Sequence, residues 1–294
     1  MSIILSTQEI GSKLVQLEYE RGNEEIKNEI FETLKKQILP LSKDIFGNYV
    51  IQKILFLGDD KKIGYIFESL KDFFFDLSIH QQGCRVLQTL IDILGELKDK
   101  QKIRIFVDIL IKKNISTLFY NQNGNRVVQK LIDVLDGDNI YNLYSEILKK
   151  IKNDCENNLL FNKYGSRVVQ ALLVKLNKIQ KEKENNNLIN IICENNFDEL
   201  CKNQYSNYIL QVIVENYKNK IEFICNKLKG NIYNYSLDNY ASYIILQMAQ
   251  EANVSREFGG ALRDAAQNLQ NHKILLARIR LAADRLTLSK AHFL

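Results

Sequence analysis

Seven times along the chain a small polar residue stands four places ahead of a position that is nearly always glutamine. The small residues are Ser12, Asn48, Cys84, Asn125, Ser166, Asn207 and Ser242. The glutamines are Gln16, Gln52, Gln88, Gln129, Gln170 and Gln211; in the seventh copy Leu246 takes the place and Gln247 follows it. Directly after the small residue comes Lys13, Tyr49, Arg85, Arg126, Arg167, Tyr208 or Tyr243. An amide carries a donor and an acceptor side by side, which is what reading the Watson–Crick edge of a base requires. Arg and Tyr offer flat surfaces on which bases stack. A merely solvated face interchanges Lys and Glu freely. Here three of the five Arg in the first 250 residues occupy this one slot.

These residues need an element that presents them together, and the surrounding copies define it. They read IGSKLVQL from Ile10, FGNYVIQK from Phe46, QGCRVLQT from Gln82, NGNRVVQK from Asn123, YGSRVVQA from Tyr164, YSNYILQV from Tyr205 and YASYIILQ from Tyr240. Successive offsets of 36, 36, 41, 41, 41 and 35 residues indicate a helical solenoid, not a single core. In GNYVIQKILFLG, Val50, Ile51, Ile54 and Leu55 span an arc of about 140° on a helix and form a buried stripe. Asn48 and Gln52 lie one turn apart on another face, with Tyr49 beside them. By the same reading Asn125 sits on the open face, outside the stripe, where its replacement should leave stability nearly unchanged. A base held between two flat side chains needs about 7–8 Å, close to the roughly 8–10 Å between packed helices. One base per repeat is therefore sterically natural. Further amphipathic segments, such as 62–78 and 140–155, give each repeat two or three short helices. The longer offsets are expected to place extra residues in loops. NKIQKEKENNN (177–187) has nothing apolar enough to bury, and reads as a mobile loop.

Composition narrows the alternatives. Hydrophobic residues make up 46% of the 294, and a single Pro favours long helices. No run approaches a membrane span, and the start MSIILS is too short for a signal peptide. Cys84, Cys155, Cys193, Cys201 and Cys225 form no CxxC pair; with only His80, His272 and His292 beside them they indicate neither a metal site nor a cofactor. Reduced thiols fit a cytosolic or nuclear protein. His80 stands one turn before Cys84 with no acid or oxyanion arrangement, so it reads as a solvated residue near a helix start, and the chain reads as no enzyme. The net charge is +5, too mild to establish a polyanion partner by itself. Residues 251–294 hold eight of the eleven alanines and none of the 14 tyrosines. They read as a divergent helical C-terminal cap or tail, or as sequence of separate origin.

The polar positions of NYVIQ (48–52), CRVLQ (84–88) and NYILQ (207–211), with IGSKLVQLEYERG (10–22), resemble the Pumilio (PUF) family of RNA-binding proteins, and the likeness spans residues 10 to about 250. The resemblance implies an all-α fold, a right-handed α-solenoid crescent of Pumilio-type repeats, with a homology domain of about seven repeats over 1–250. It implies that the motif-bearing helices line a concave surface and that the chain runs antiparallel to single-stranded RNA. One base per repeat is the arrangement already recognised for this class of repeat. It further implies that Asn with Gln selects uracil, and that Ser or Cys with Gln selects adenine. Carried over from Asn207/Gln211 back to Ser12/Gln16, the element is 5′-UAUAUA-3′. The implied role is cytoplasmic: a monomer on messenger RNA 3′ untranslated regions, causing repression or decay through recruited deadenylase or translational repressor proteins. Two departures stand out. Members usually carry eight repeats and read guanine with the seventh, whereas Leu246 cannot hydrogen-bond guanine and no eighth motif follows. NHKILLARIRLA (271–282) only faintly resembles the family's terminal helix. The competing readings are a protein-binding armadillo or HEAT-like solenoid, which has no stacking slot, and the nucleolar Pumilio-like branch in ribosome biogenesis, which six intact motifs disfavour.

Overall fold

The stripe Val50, Ile51, Ile54 and Leu55 falls inside a helix, Gly47–Leu57, and none of the four is more than 1% exposed. The computed structural model describes residues 3–153, 158–194, 197–250 and 256–268, and among these it is all-α. No helix there is long and apolar enough to cross a membrane.

A repeat consists of three helical pieces. The second repeat has the motif-bearing reading helix Gly47–Leu57, a second helix Asp60–Leu70, and a short helix Phe74–Ile79 reached through the 3-10 turn Lys71–Phe73. Asp59 starts the second helix by accepting from the Lys62 N–H at 2.9 Å, the usual role of a short acid at an N-cap. Its carboxylate also pairs with the buried Lys62 Nζ at 2.8 Å. Ile63, Ile66, Phe67 and Leu70 form the buried face of the same helix.

The chain divides into two compact units, Met1–Ile147 and Leu148–Leu294. In the first, the reading helices Glu9–Arg21, Gly47–Leu57, Gly83–Glu96 and Gly124–Val134 pack in chain order, each on the next. In the second, Gly165–Lys178, Asn207–Asn216 and Ala241–Gln250 do the same. Each short helix feeds the next reading helix at very close range. A Cβ on Gly165 would lie 2.5 Å from Leu159 Cδ1 and 2.7 Å from the Leu159 carbonyl oxygen. Gly47, Gly83 and Gly124 face Leu41, Leu77 and Leu118 in the same way. In the sixth repeat Ser206 takes this place and its hydroxyl donates to the Leu200 carbonyl at 2.9 Å.

Two expectations about loops are corrected. The five extra residues of the third repeat lengthen helices: Gly83–Glu96 has 14 residues and Lys100–Lys112 has 13, against 11 each for Gly47–Leu57 and Asp60–Leu70. The run 177–187 is no loop either, since Gly165–Lys178 ends in it and Glu182–Glu194 begins in it. The polar composition misled because Asn185 is buried against a distant partner, the Tyr217 hydroxyl, whose one hydrogen lies between Asn185 Oδ1 at 2.6 Å and the Leu173 carbonyl. The link is a tight reversal at Gln180 (φ 55°), which lets the Lys181 N–H reach the Leu176 carbonyl at 3.0 Å.

Beyond residue 250, helix Arg256–Asn268 buries Phe258, Leu262 and Ala265 and packs on the short helix Ile232–Leu237. Lys100–Lys112 packs on Phe74–Ile79 in the same manner, so this helix takes the second-helix place of the seventh repeat. Residues 271–282, with their faint family likeness, lie outside the described residues, as does Cys155.

Candidate nucleic-acid interface

The candidate interface residues fall near the start of each reading helix, within its first two turns from the second repeat on. Exposure follows one pattern from the second repeat to the sixth. The small residue is buried, the flat residue is exposed, two aliphatics are buried, and the Gln is half-buried. The first repeat differs only in exposing Leu14. Tyr49, Tyr208 and Tyr243 are 44%, 55% and 53% exposed, and Arg85, Arg126 and Arg167 are exposed too. Lys13 is also exposed, but its ammonium pairs with Glu9 at 2.9 Å.

The small residues are not on the open face. Asn48, Asn125 and Asn207 are at most 1% exposed, and Ser12, Cys84 and Ser166 at most 3%. The expectation for Asn125 is therefore corrected, and the reason is a set of backbone carbonyls beneath it. Asn125 Nδ2 donates to the Asn121 carbonyl at 2.7 Å. Asn207 Nδ2 donates to the Asn203 carbonyl at 2.8 Å. Asn48 Nδ2 reaches both Asp44 and Ile45 carbonyls, at 2.9 and 2.8 Å. Because a carbonyl only accepts, these contacts fix the amide orientation and turn each Oδ1 toward the Gln one turn on. Gln52, Gln129 and Gln211 answer with Nε2, donating to that Oδ1 at 2.9, 2.8 and 2.7 Å. Gln52 and Gln129 also reach the Asn48 and Asn125 carbonyls with Nε2, at 3.3 and 3.2 Å, and Gln52 Oε1 accepts from the Thr89 hydroxyl at 3.1 Å. Where the small residue is Ser12 or Cys84, its own hydrogen goes to a carbonyl one turn back, Glu9 at 3.1 Å or Gln81 at 3.3 Å. Gln16 and Gln88 then donate to the Ser12 and Cys84 carbonyls. Burial raises the Cys84 thiol pKa, holding it as a neutral donor.

One set of residues escaped the sequence reading. Four places before the small residue stand Asp44, His80, Asn121, Asn162, Asn203 and Asp238. Each accepts, through a side-chain atom, the first two backbone N–H groups leading into the reading helix, at 2.7–3.3 Å. The carbonyl of the same residue accepts the N–H of the small residue. A search at the repeat offsets for any short acceptor, not for one residue type, would have found them. His80 is therefore a cap, not a free solvated residue: its Nδ1 accepts from Gln82 and Gly83 N–H at 3.3 and 3.2 Å.

That role requires a neutral Nδ1. Burial, and then the charge of Lys43, lower the His80 pKa below the ordinary histidine value. The unfolded chain therefore binds the proton more readily. The stabilisation is complete above about pH 6.5 and is lost as pH falls through the lower folded value. Thermal melts from pH 7.5 to 5 should show a loss of stability that shrinks in His80→Asn, which keeps an acceptor and cannot titrate. Identical pH dependence in both proteins would remove His80 from the cap.

The seventh copy differs in geometry as well as sequence. Ser242 is 9% exposed, and the Gln247 Oε1 is turned inward, buried with no hydrogen-bond partner among the described residues.

The sequence profile of the Pumilio-family RNA binding repeat matches residues 3–34, 37–70, 73–108, 120–148, 159–183 and 196–225, well over half of the chain. Among curated proteins the chain is similar to Pumilio homolog 1 of Xenopus laevis, 29% identical over 89 residues. It is also similar to putative pumilio homolog 20 of Arabidopsis thaliana, 36% identical over 66 residues. The aligned parts cover 30% and 22% of this chain, but only 8% and 20% of those relatives. Among solved structures, PUF-8 in complex with PBE-RNA superposes with a TM-score of 0.82 at 20% identity, covering 99% of this chain and 86% of that one. The Puf3 RNA binding domain bound to the Cox17 RNA 3′ UTR recognition sequence site A gives 0.73 at 21% identity, covering 98% and 90%. Six matched repeats, each beginning a reading helix or leading into one, establish that the chain belongs to the Pumilio family of RNA-binding repeat proteins.

Proposed function

We propose that the chain binds single-stranded RNA in a sequence-selective manner, one base per repeat, at an element resembling 5′-UAUAUA-3′. The observation that carries this reading is the repeated geometry: a buried small polar residue, an exposed flat side chain and a half-buried Gln on the first turns of six successive reading helices. The similar solved chains are themselves described as bound to RNA, in one case a 3′ UTR recognition sequence. In this reading Asn207/Gln211, Asn125/Gln129 and Asn48/Gln52 take uracil, while Ser166/Gln170, Cys84/Gln88 and Ser12/Gln16 take adenine. The flat residues Tyr49, Arg85, Arg126, Arg167, Tyr208 and Tyr243 separate successive bases, with Lys13 at the last. The biological role proposed is cytoplasmic repression or decay of messenger RNAs carrying the element in the 3′ untranslated region, through recruited deadenylase or repressor proteins.

Selection of bound sequences from a randomised single-stranded RNA pool, at fixed salt, tests this directly. Enrichment of UAUAUA supports it; recovery of the input distribution, or of duplex-forming sequences, overturns it. The seventh repeat carries its own prediction. With Leu246 in place of an acceptor and Gln247 turned inward, the base 5′ of the element should change affinity by less than about 1 kcal/mol. An internal mismatch should cost roughly 1–3 kcal/mol. Titration of the four 5′ variants measures it, and a strong guanine preference would show a reading contact beyond Leu246.

A further inference from the structure

The residue that follows the reading Gln differs between repeats: Leu17, Lys53, Thr89, Lys130, Ala171, Val212 and, in register, Gln247. Both lysines reach back to an acid of the preceding reading helix. Lys53 Nζ lies 3.1 Å from Glu20, and Lys130 Nζ lies 2.8 Å from Asp92. Between these two repeats the pattern breaks. The residue in register with Glu20 and Asp92 is Phe56, which offers no acceptor, and the residue facing back is Thr89. Its hydroxyl instead donates to Gln52 Oε1 at 3.1 Å; the Arg85 carbonyl, at 3.2 Å, is the competing acceptor.

We propose that Thr89 is a specificity-determining residue of the second repeat, which positions the Gln52 amide for uracil from the neighbouring repeat. The proposal rests on the base-reading role proposed above for Gln52. Gln52 is then held at both ends of its amide: Nε2 by Asn48 Oδ1 at 2.9 Å, and Oε1 by Thr89. The two anchors come from different repeats, so the amide cannot swing within the slot without breaking one of them. Uracil and cytosine differ by exchange of donor and acceptor at the edge being read. An amide fixed in place distinguishes them, and an amide free to shift accommodates both. Thr89 does this without touching the base, so it is a positioning residue.

The test uses the full chain and three proteins: the parent, Thr89→Val, which keeps the shape and loses the hydroxyl, and Thr89→Ser, which restores it. Dissociation constants are measured for UAUAUA and for single U-to-C changes at its first, third and fifth bases. The expected result is that Thr89→Val lowers the discrimination at the fifth base by about three- to tenfold, the worth of one hydrogen bond. Discrimination at the first and third bases should stay unchanged, and Thr89→Ser should recover the fifth. A uniform loss of affinity across all the RNAs, or an unchanged fifth-base ratio, overturns the role of Thr89 and leaves base reading intact. A parent protein indifferent to all three changes overturns both.

Discussion

Asn125→Ser should move the preference at the third base of UAUAUA from U toward A by about 1–2 kcal/mol, the usual worth of an edge contact. The substitution turns NRVVQ (125–129) into SRVVQ, the core at 166–170, so stacking side chain, glutamine and charge all stay the same. Competition between UAUAUA and UAAAUA on the two proteins reads the change, and an unaltered order of preference would exclude Asn125 from base reading. The variant should also be less stable. Asn125 is 1% exposed, donates to the Asn121 carbonyl and accepts from Gln129. Serine is too short to hold both contacts, although a hydroxyl there can satisfy one carbonyl, as Ser12 does with Glu9. A loss of about 0.5–1.5 kcal/mol in urea unfolding is expected. A variant that switches preference with no loss would mean that Ser and Gln129 repack completely.

Gly165→Ala should destabilise the second unit by about 1–2 kcal/mol. The new methyl would meet Leu159 Cδ1 at 2.5 Å and the Leu159 carbonyl oxygen at 2.7 Å, and the carbonyl belongs to backbone that cannot rotate away. Overpacking of this kind costs about 1–3 kcal/mol, offset in part by the lower chain entropy of alanine. Gly64→Ala is the matched control. Nothing lies within 4 Å of its Cβ position, and it stands inside helix Asp60–Leu70, so it should stabilise by about 0.5–1 kcal/mol. Urea midpoints moving the same way for both variants would show that backbone entropy, not close approach, governs these glycines.

The reading helices and their apolar stripe were legible because Val50, Ile51, Ile54 and Leu55 recur with helical period, and their equivalents recur at each offset. The caps were not, because the chemistry is conserved while the residue is not: Asp44, His80 and Asn121 share only an acceptor atom at the right reach. Helix Glu182–Glu194 was hidden by its opening residues, since the burial of Asn185 depends on Tyr217, 32 positions later. Asn125 was misplaced for a related reason. Helical spacing tells which face a residue is on; it does not tell that a carbonyl of the preceding turn lies within reach of its side chain.

The amide pairs have a thermodynamic consequence. In Asn48/Gln52, Asn125/Gln129 and Asn207/Gln211 the two side chains hold each other through a hydrogen bond within the protein. Immobilising a flexible side chain on binding ordinarily costs about 0.5–1.5 kcal/mol. A uracil arriving at any of these three slots finds that ordering done during folding, so its own contacts contribute to affinity with little set against them.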